Sequence, residues 1–133
     1  MNITPEQAEA VIAAAKAKAI ETKTLMNIAV VDSVTNLIAF AHMENAWLGS
    51  IDISMRKART ARYFNMDSGE IGKFSQPGGP LYNIEHSNGG LITFPGGVVI
   101  KNDAGKITGA VGVSGDTVEN DHIVASAGAA AVK

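Results

Sequence analysis

The stretch Pro95–Ile100 reads PGGVVI, and Gly109–Asp116, a few residues later, reads GAVGVSGD. A short turn sequence, Asn102–Gly105, lies between them. Runs of β-branched residues favour strands, and a glycine-containing turn between two such runs is typical of a β-hairpin. The two segments therefore predict a hairpin whose second strand ends at a glycine-rich corner and continues into a helix.

The composition indicates a folded chain and excludes several classes of partner. A length of 133 residues predicts one domain, residues 1–133. A hydrophobic content of 46% with 18% charged residues excludes a disordered chain. The net charge of −2 gives no electrostatic basis for binding nucleic acid. No apolar run reaches the ~20 residues of a membrane span, so we expect no membrane partner.

The chain contains no cysteine, which excludes disulfides, thiolate nucleophiles and cysteine-based metal sites. The first residues lack the basic and apolar regions of a secretory signal. We therefore expect a cytoplasmic protein.

Hydrophobic spacing predicts the order of helices and strands. The first helix begins after Thr4 in a T-x-x-Q capping box and ends near Thr22. Ser50 caps a second helix, and Thr117 or Asp116 caps a third from Val118 to about Val132. Five strands are expected: Asn27–Val31, Leu37–His42, Leu91–Phe94, Val98–Lys101 and Lys106–Ser114. Their short connections favour an antiparallel sheet with helices packed on it, an α+β class of α/β fold.

Four stretches together resemble the GlcG/HbpS family, also called the haem-degrading-domain family, which includes the C-terminal domain of PduO-type proteins. Ile28–Asp32 (IAVVD) resembles its first strand, and His42–Ala46 lies where the family usually has R-M-D-G-A. Ser50–Ala61 resembles its S-I-x-I-A-x-x-K-A-R-T-A helix. Gly96–Gly115 resembles G-G-V-P-I…D-G…I-G-A-I-G-V-S-G, and the family's following Q-D-E is Asn120–His122 here.

The resemblance implies a profilin-like α/β sandwich that assembles into a homo-oligomer, either a dimer or a larger assembly. It also implies haem binding or redox sensing. His42 and His122 lie where the family usually has another residue, so its motifs assign no haem ligand to them.

The first hypothesis is a haem-binding accessory or sensor protein. Haem requires an apolar slot and usually an axial imidazole. The candidate ligands are His42, His86 and His122. His86 is favoured because its segment mixes apolar, aromatic and polar residues. Arg59 is a candidate partner for a haem propionate, since guanidinium groups bind carboxylates well.

The second hypothesis is an enzyme or binding protein for a small hydroxy or keto acid. Lys57 would anchor the carboxylate, and His86 or Glu44 would act as general acid and base. A salt bridge from Lys57 to Asp32, Glu44 or Asp52 is the structural alternative. Apart from haem we expect no metal site, because the sequence contains no His-x-x-Glu or His-x-x-x-His pair.

Overall fold

A computed structural model describes residues 1–132, so Lys133, the last residue of the predicted domain, lies outside the described residues. The strands are β1 (Asn27–Asp32), β2 (Leu37–His42), β3 (Gly97–Lys101) and β4 (Ile107–Ser114). The helices are α1 (Pro5–Glu21), α2 (Gly49–Phe64), α3 (Ser68–Gly72) and α4 (Val118–Ala129), with a 3₁₀ turn at Ile84–His86. None of the helices in residues 1–132 has the length and apolarity that a membrane crossing requires.

The strands form one antiparallel sheet in the order β2-β1-β4-β3. The predicted α+β class is confirmed, but the predicted fifth strand, Leu91–Phe94, is wrong. The Ile92 N–H donates to the Thr60 hydroxyl, and the Leu91 N–H donates to the Glu85 carbonyl. These backbone groups bond to α2 and to the 3₁₀ turn instead of a strand, so the segment does not join the sheet.

Alternation along the strands gives the sheet two different faces. On one face Ile28, Val30, Val111 and Val113 pack with α1 and α4 in the main core. On the other face α2 lies over β4, β1 and β3. The result is a layer of helices on each side of the sheet.

Polar side chains fix the starts of two helices. The capping box predicted at Thr4 is confirmed, and Thr117 caps α4 through the Asn120 N–H. The predicted cap at Ser50 is wrong. The helix α2 begins at Gly49, two residues before the first helical residue that a cap at Ser50 predicts. The Ser50 hydroxyl bonds instead to the Ser114 hydroxyl at the end of β4.

The contact between α2 and the sheet is close enough to require glycine. A Cβ on Gly112 would lie 1.9 Å from the Ser54 carbonyl oxygen and 2.6 Å from the Ala58 nitrogen. Both are backbone atoms of α2, so the whole helix would have to move away from the sheet.

Gly112→Ala is therefore expected to lower the free energy of unfolding by about 1–3 kcal/mol through overpacking. Gly49→Ala is the matched control, since no atom lies within 4 Å of its added Cβ. Urea unfolding of both variants measures the difference. Equal stability of the Gly112→Ala variant and the parent protein would contradict the close packing.

Candidate functional site

Lys57 and Asp121 form a buried ion pair that joins α2 to α4. The Lys57 ammonium Nζ lies 2.9 Å from Asp121 Oδ2, and the two side chains are 0% and 2% exposed. Lys57 Nζ also donates to the Val113 carbonyl at 2.8 Å and lies 4.8 Å from the centroid of the Phe94 ring. Three partners thus surround an amine that has three N–H donors.

Two glycines make room for this lysine. A Cβ on Gly96 would lie 2.5 Å from Lys57 Nζ, and a Cβ on Gly97 would lie 2.3 Å from the Lys57 carbonyl oxygen. Gly96 also has a φ of +131°, which side-chain-bearing residues rarely adopt. The double glycine in PGGVVI is therefore explained by Lys57, whose ammonium group lies against Gly96 and whose backbone carbonyl lies against Gly97.

Burial has opposite effects on the two charged groups. Desolvation lowers the pKa of the Lys57 ammonium and raises the pKa of the Asp121 carboxyl. The attraction and hydrogen bond between them oppose both shifts. Each charge is therefore tolerated in the interior because of the other.

The structural alternative predicted for Lys57 named the wrong partners. Asp32 bonds within its own turn and Asp52 pairs with Arg56, while Lys57 pairs with Asp121. Asp121 lies 64 residues further along the chain, beyond the reach of local spacing rules. The one available signal was its place in the family's Q-D-E motif. The role of Lys57 as a carboxylate anchor stays a prediction, and its ammonium group is fully enclosed here.

His42 has an imidazole held in one orientation. Its Nδ1 lies 2.5 Å from Oδ1 of Asn27, a fully buried residue on the neighbouring strand β1. The Asn27 amide Nδ2 in turn donates to the Trp47 carbonyl at 2.9 Å. Because a carbonyl can only accept, the amide nitrogen must face Trp47 and the amide oxygen must face His42. Nδ1 therefore donates its N–H to Asn27, and Nε2 is the ring nitrogen left out of this bond.

His42 lies on the face of strand β2 that is turned toward the layer of helix α2. Ala39 and Ala41 pack in the main core on the side of α1 and α4. Phe40 and His42 alternate with them along β2 and therefore share the opposite side, which faces the α2 layer. The Arg62 Nε donates to the Ser33 carbonyl in the β1–β2 turn, which places this flank of α2 nearest β2. The residues at helical spacing on that flank are Ile51, Met55 and Arg59, and all three are partly exposed. Phe40, His42, Ile51, Met55 and Arg59 are named the β2–α2 step.

The other predicted site residues lie apart from one another. Glu44 is exposed in the loop after β2, whereas His86 is exposed on the 3₁₀ turn that follows α3. That turn belongs to the segment whose Gly89 and Gly90 carbonyls accept from Arg56 on α2. His122 lies on α4, where its Nε2 is 3.4 Å from the Ser126 hydroxyl. The three histidines therefore do not form one cluster.

An apolar concavity of about 540 Å³ lies between the end of α2, α3 and the segment before the 3₁₀ turn. Its lining is entirely apolar: Phe64, Met66, Ile71, Phe74, Pro80, Leu81 and Ile84. His86 follows Ile84 by two residues but is not part of that lining. The concavity thus offers apolar contact without a group that fixes an anion or a metal.

The chain matches the model of one protein family over almost its whole length. The model of the family described as "Haem degrading protein HbpS-like" matches residues 3–130. The chain belongs to this family. An uncharacterised 15.0 kDa protein encoded between dhaT and dhaS of Citrobacter freundii is 42% identical, over 94% of this chain and 93% of that protein. Corrinoid adenosyltransferase PduO of the same organism is 30% identical, and the match spans 99% of this chain but only 39% of PduO.

Solved structures of HbpS-like proteins have the same fold. The crystal structure of the PduOC:haem complex has a TM-score of 0.93 and 28% identity, covering all of this chain and 96% of that one. Protein ORFY of Klebsiella pneumoniae also has a TM-score of 0.93, with 35% identity over 97% of this chain and 89% of that one. The crystal structure of HbpS has a TM-score of 0.90 and 26% identity, covering all of this chain and 92% of that one.

Breaking the buried ion pair is expected to destabilise the fold with opposite pH dependences. Asp121→Asn and Lys57→Met should each lower the free energy of unfolding by about 3–5 kcal/mol near neutral pH. Without Asp121 the folded-state pKa of Lys57 falls further below its ordinary value, so the unfolded state binds more protons and stability recovers as pH rises. Without Lys57 the folded-state pKa of Asp121 rises further, so stability recovers as pH falls.

Urea unfolding between pH 5 and pH 9 measures both trends. The double variant Lys57→Met/Asp121→Asn is the control, because it removes both charges and retains an acceptor for the Asp116 N–H that now donates to Asp121. It should lose less stability than the sum of the single variants. If the loss of unfolding free energy in the two single variants does not change with pH, the buried ion pair is contradicted.

Proposed function

We propose that this chain binds haem at the β2–α2 step, where His42 Nε2 would hold the iron. The supporting observation is the hydrogen-bond chain from Trp47 through Asn27 to His42. Histidines that bind metals usually donate their second ring N–H to a protein acceptor, which fixes the tautomer and raises the basicity of the ligating nitrogen. Among the three candidate histidines, His42 alone bonds to a fully buried acceptor within residues 1–132.

The other residues of the step have the chemistry that a haem requires. Phe40, Ile51 and Met55 provide apolar and polarisable contacts for a porphyrin ring. The Arg59 guanidinium makes no hydrogen bond or ion pair within residues 1–132, so it is available for a propionate. When bound, haem would supply an iron centre for ligand binding or redox sensing. The chain's own residues would orient the ring and hold its carboxylates.

Membership of the HbpS-like family supports the same proposal. The PduOC:haem complex is a structural neighbour that covers the whole chain at 28% identity. We place the protein as a haem-binding accessory or sensor protein, and His42 replaces His86 as the favoured ligand.

Titration with hemin is expected to give a saturable Soret shift that His42→Ala abolishes. His86→Ala and His122→Ala are matched controls. Both should keep the shift, because neither imidazole is oriented by a hydrogen bond to Asn27 and neither is the proposed ligand. Absorption spectroscopy measures binding in all four proteins. Loss of the shift in His86→Ala or His122→Ala, with His42→Ala unaffected, would overturn the assignment.

Exogenous imidazole separates loss of a ligand from loss of folding. His42 is exposed, so imidazole can enter the space left by His42→Gly and replace the ligand. The spectrum of the bound haem should then return toward that of the parent protein. Asn27→Ala should weaken hemin binding roughly 10–100-fold, the usual cost of removing a histidine's supporting partner. A variant that binds hemin like the parent would show that the orientation of His42 is immaterial.

Arg59→Gln is expected to weaken hemin binding about two- to fivefold, the contribution of one partly exposed ion pair. Lys16→Gln makes the same change of charge on the exposed side of α1 and should leave binding unchanged. Raising the ionic strength should reduce the difference between the two variants, because salt screens exposed charge pairs. Equal affinities for Arg59→Gln and Lys16→Gln would exclude a propionate contact at Arg59.

A further inference from the structure

A second groove, separate from the apolar concavity, lies where three chain segments meet at one end of the sheet. One segment follows α1, one precedes α2, and one joins β4 to α4. The groove holds about 200 Å³, and its lining includes Lys23, Leu25, Trp47 and Asp116. The residues of the β2–α2 step are not part of this lining, so the groove is a different place from the proposed haem site.

The groove contains two opposite charges that have no charged partner in the described part of the chain. The Lys23 ammonium makes neither a hydrogen bond nor an ion pair within residues 1–132, and it is exposed. The Asp116 carboxylate accepts from the neutral Asn120 amide at 2.7 Å and has no cationic partner there. Hydrogen bonds from Asn120 and from the Thr117 backbone lower the pKa of Asp116, so this carboxyl is charged at neutral pH. A ligand with only one charge would meet a like charge in the groove.

Trp47 gives the groove an aromatic wall that is held in place by its backbone. The Trp47 carbonyl accepts from the Asn27 amide at 2.9 Å and from the Ser50 N–H at 3.2 Å, while the side chain remains exposed. An indole face attracts cations, and the exposed Leu25 side chain adds apolar surface for methylene groups. A wall that is already ordered reduces the entropy that a ligand loses on binding.

Lys23 stands at a backbone position where glycine is the usual residue. Its φ is +58°, in the left-handed region, and it ends α1. The Lys23 N–H donates to the Ile20 carbonyl and the Thr24 N–H to the Ala19 carbonyl, which is the pattern of a helix end that favours glycine. A lysine here makes the fold less stable than glycine would. Backbone strain of this kind is typical of binding sites.

We propose that this groove binds a small zwitterion that carries both an ammonium and a carboxylate, as a free amino acid does. The carboxylate would pair with Lys23, and the ammonium would pair with Asp116 beside the Trp47 ring. A groove of about 200 Å³ is smaller than the ~300–1,000 Å³ of sites for drug-sized ligands, so the ligand is a small one. This inference does not depend on haem binding.

The single tryptophan of the chain gives a local signal for this site. In isotope-labelled protein its indole N–H is one cross-peak in a nuclear magnetic resonance spectrum, and a ligand in the groove should shift it saturably. Glycine, β-alanine and γ-aminobutyrate are the probes, because they separate the same two charges by increasing distances. Propionate and propylamine, which each carry one of the two charges, are the matched controls.

At least one of the three zwitterions should bind more tightly than both propionate and propylamine. The reason is that only a zwitterion can pair with Lys23 and Asp116 at once. A peak that no zwitterion shifts would overturn the proposal. Binding of propionate or propylamine as tight as that of the best zwitterion would overturn it as well.

Charge variants assign the two ends of the ligand. Lys23→Gln and Asp116→Asn should each weaken binding of the best zwitterion about two- to fivefold, the contribution of one exposed ion pair. Asp116→Asn retains an acceptor for the Asn120 amide, so the corner before α4 keeps that hydrogen bond. Lys16→Gln, on the exposed side of α1, is the control and should bind like the parent. Equal affinities for all three variants would exclude the two charge contacts.

Lys23→Gly separates binding from folding. Glycine relieves the left-handed backbone, so the variant should unfold at a higher urea concentration than the parent. It should nevertheless bind the zwitterion as weakly as Lys23→Gln, because the ammonium is gone. A Lys23→Gly variant that retains the affinity of the parent would overturn the role of Lys23.

Discussion

The buried pair of Lys57 and Asp121 is the constraint on which the arrangement of the layers depends. A lysine is almost never fully buried unless it is paired, because desolvating an isolated ammonium costs more free energy than the net stability of a domain. The Lys57 side chain starts on α2, passes the ends of β3 and β4, and meets the first turn of α4. Helices on opposite faces of the sheet are therefore held in one relative position.

This constraint explains why three separate motifs occur together. The helix motif contributes Lys57, the PGGVVI segment contributes the glycines beside it, and the start of α4 contributes Asp121. A side chain at Gly96 would collide with the ammonium group, and an acceptor missing from α4 would leave that group unpaired. Each motif is weak evidence alone, but their combined occurrence has one physical cause.

Local sequence patterns predict much of the fold, but contacts between distant segments cannot be predicted from such patterns. The bounds of β2 and the caps at Thr4 and Thr117 follow from patterns a few residues long. Leu91–Phe94 has the composition of a strand, but its backbone groups bond to α2 and to the 3₁₀ turn, which no local pattern indicates. Asn27 was missed as a site residue for a related reason. Its importance depends on lying opposite His42 in the β1–β2 register.

The position of the β2–α2 step follows from the shape of the fold. One helix covers one face of a four-stranded sheet, and glycine holds that helix close over β4 and its neighbours, so the same face of β2 extends beyond it. An imidazole that ligates a metal usually donates from one nitrogen to a protein acceptor and needs open access to the other. A residue on an edge strand can have both, because the neighbouring inner strand provides a buried acceptor and the residue itself remains exposed to solvent. His42 lies at such a position, with Asn27 behind it, and that combination distinguishes it from His86 and His122.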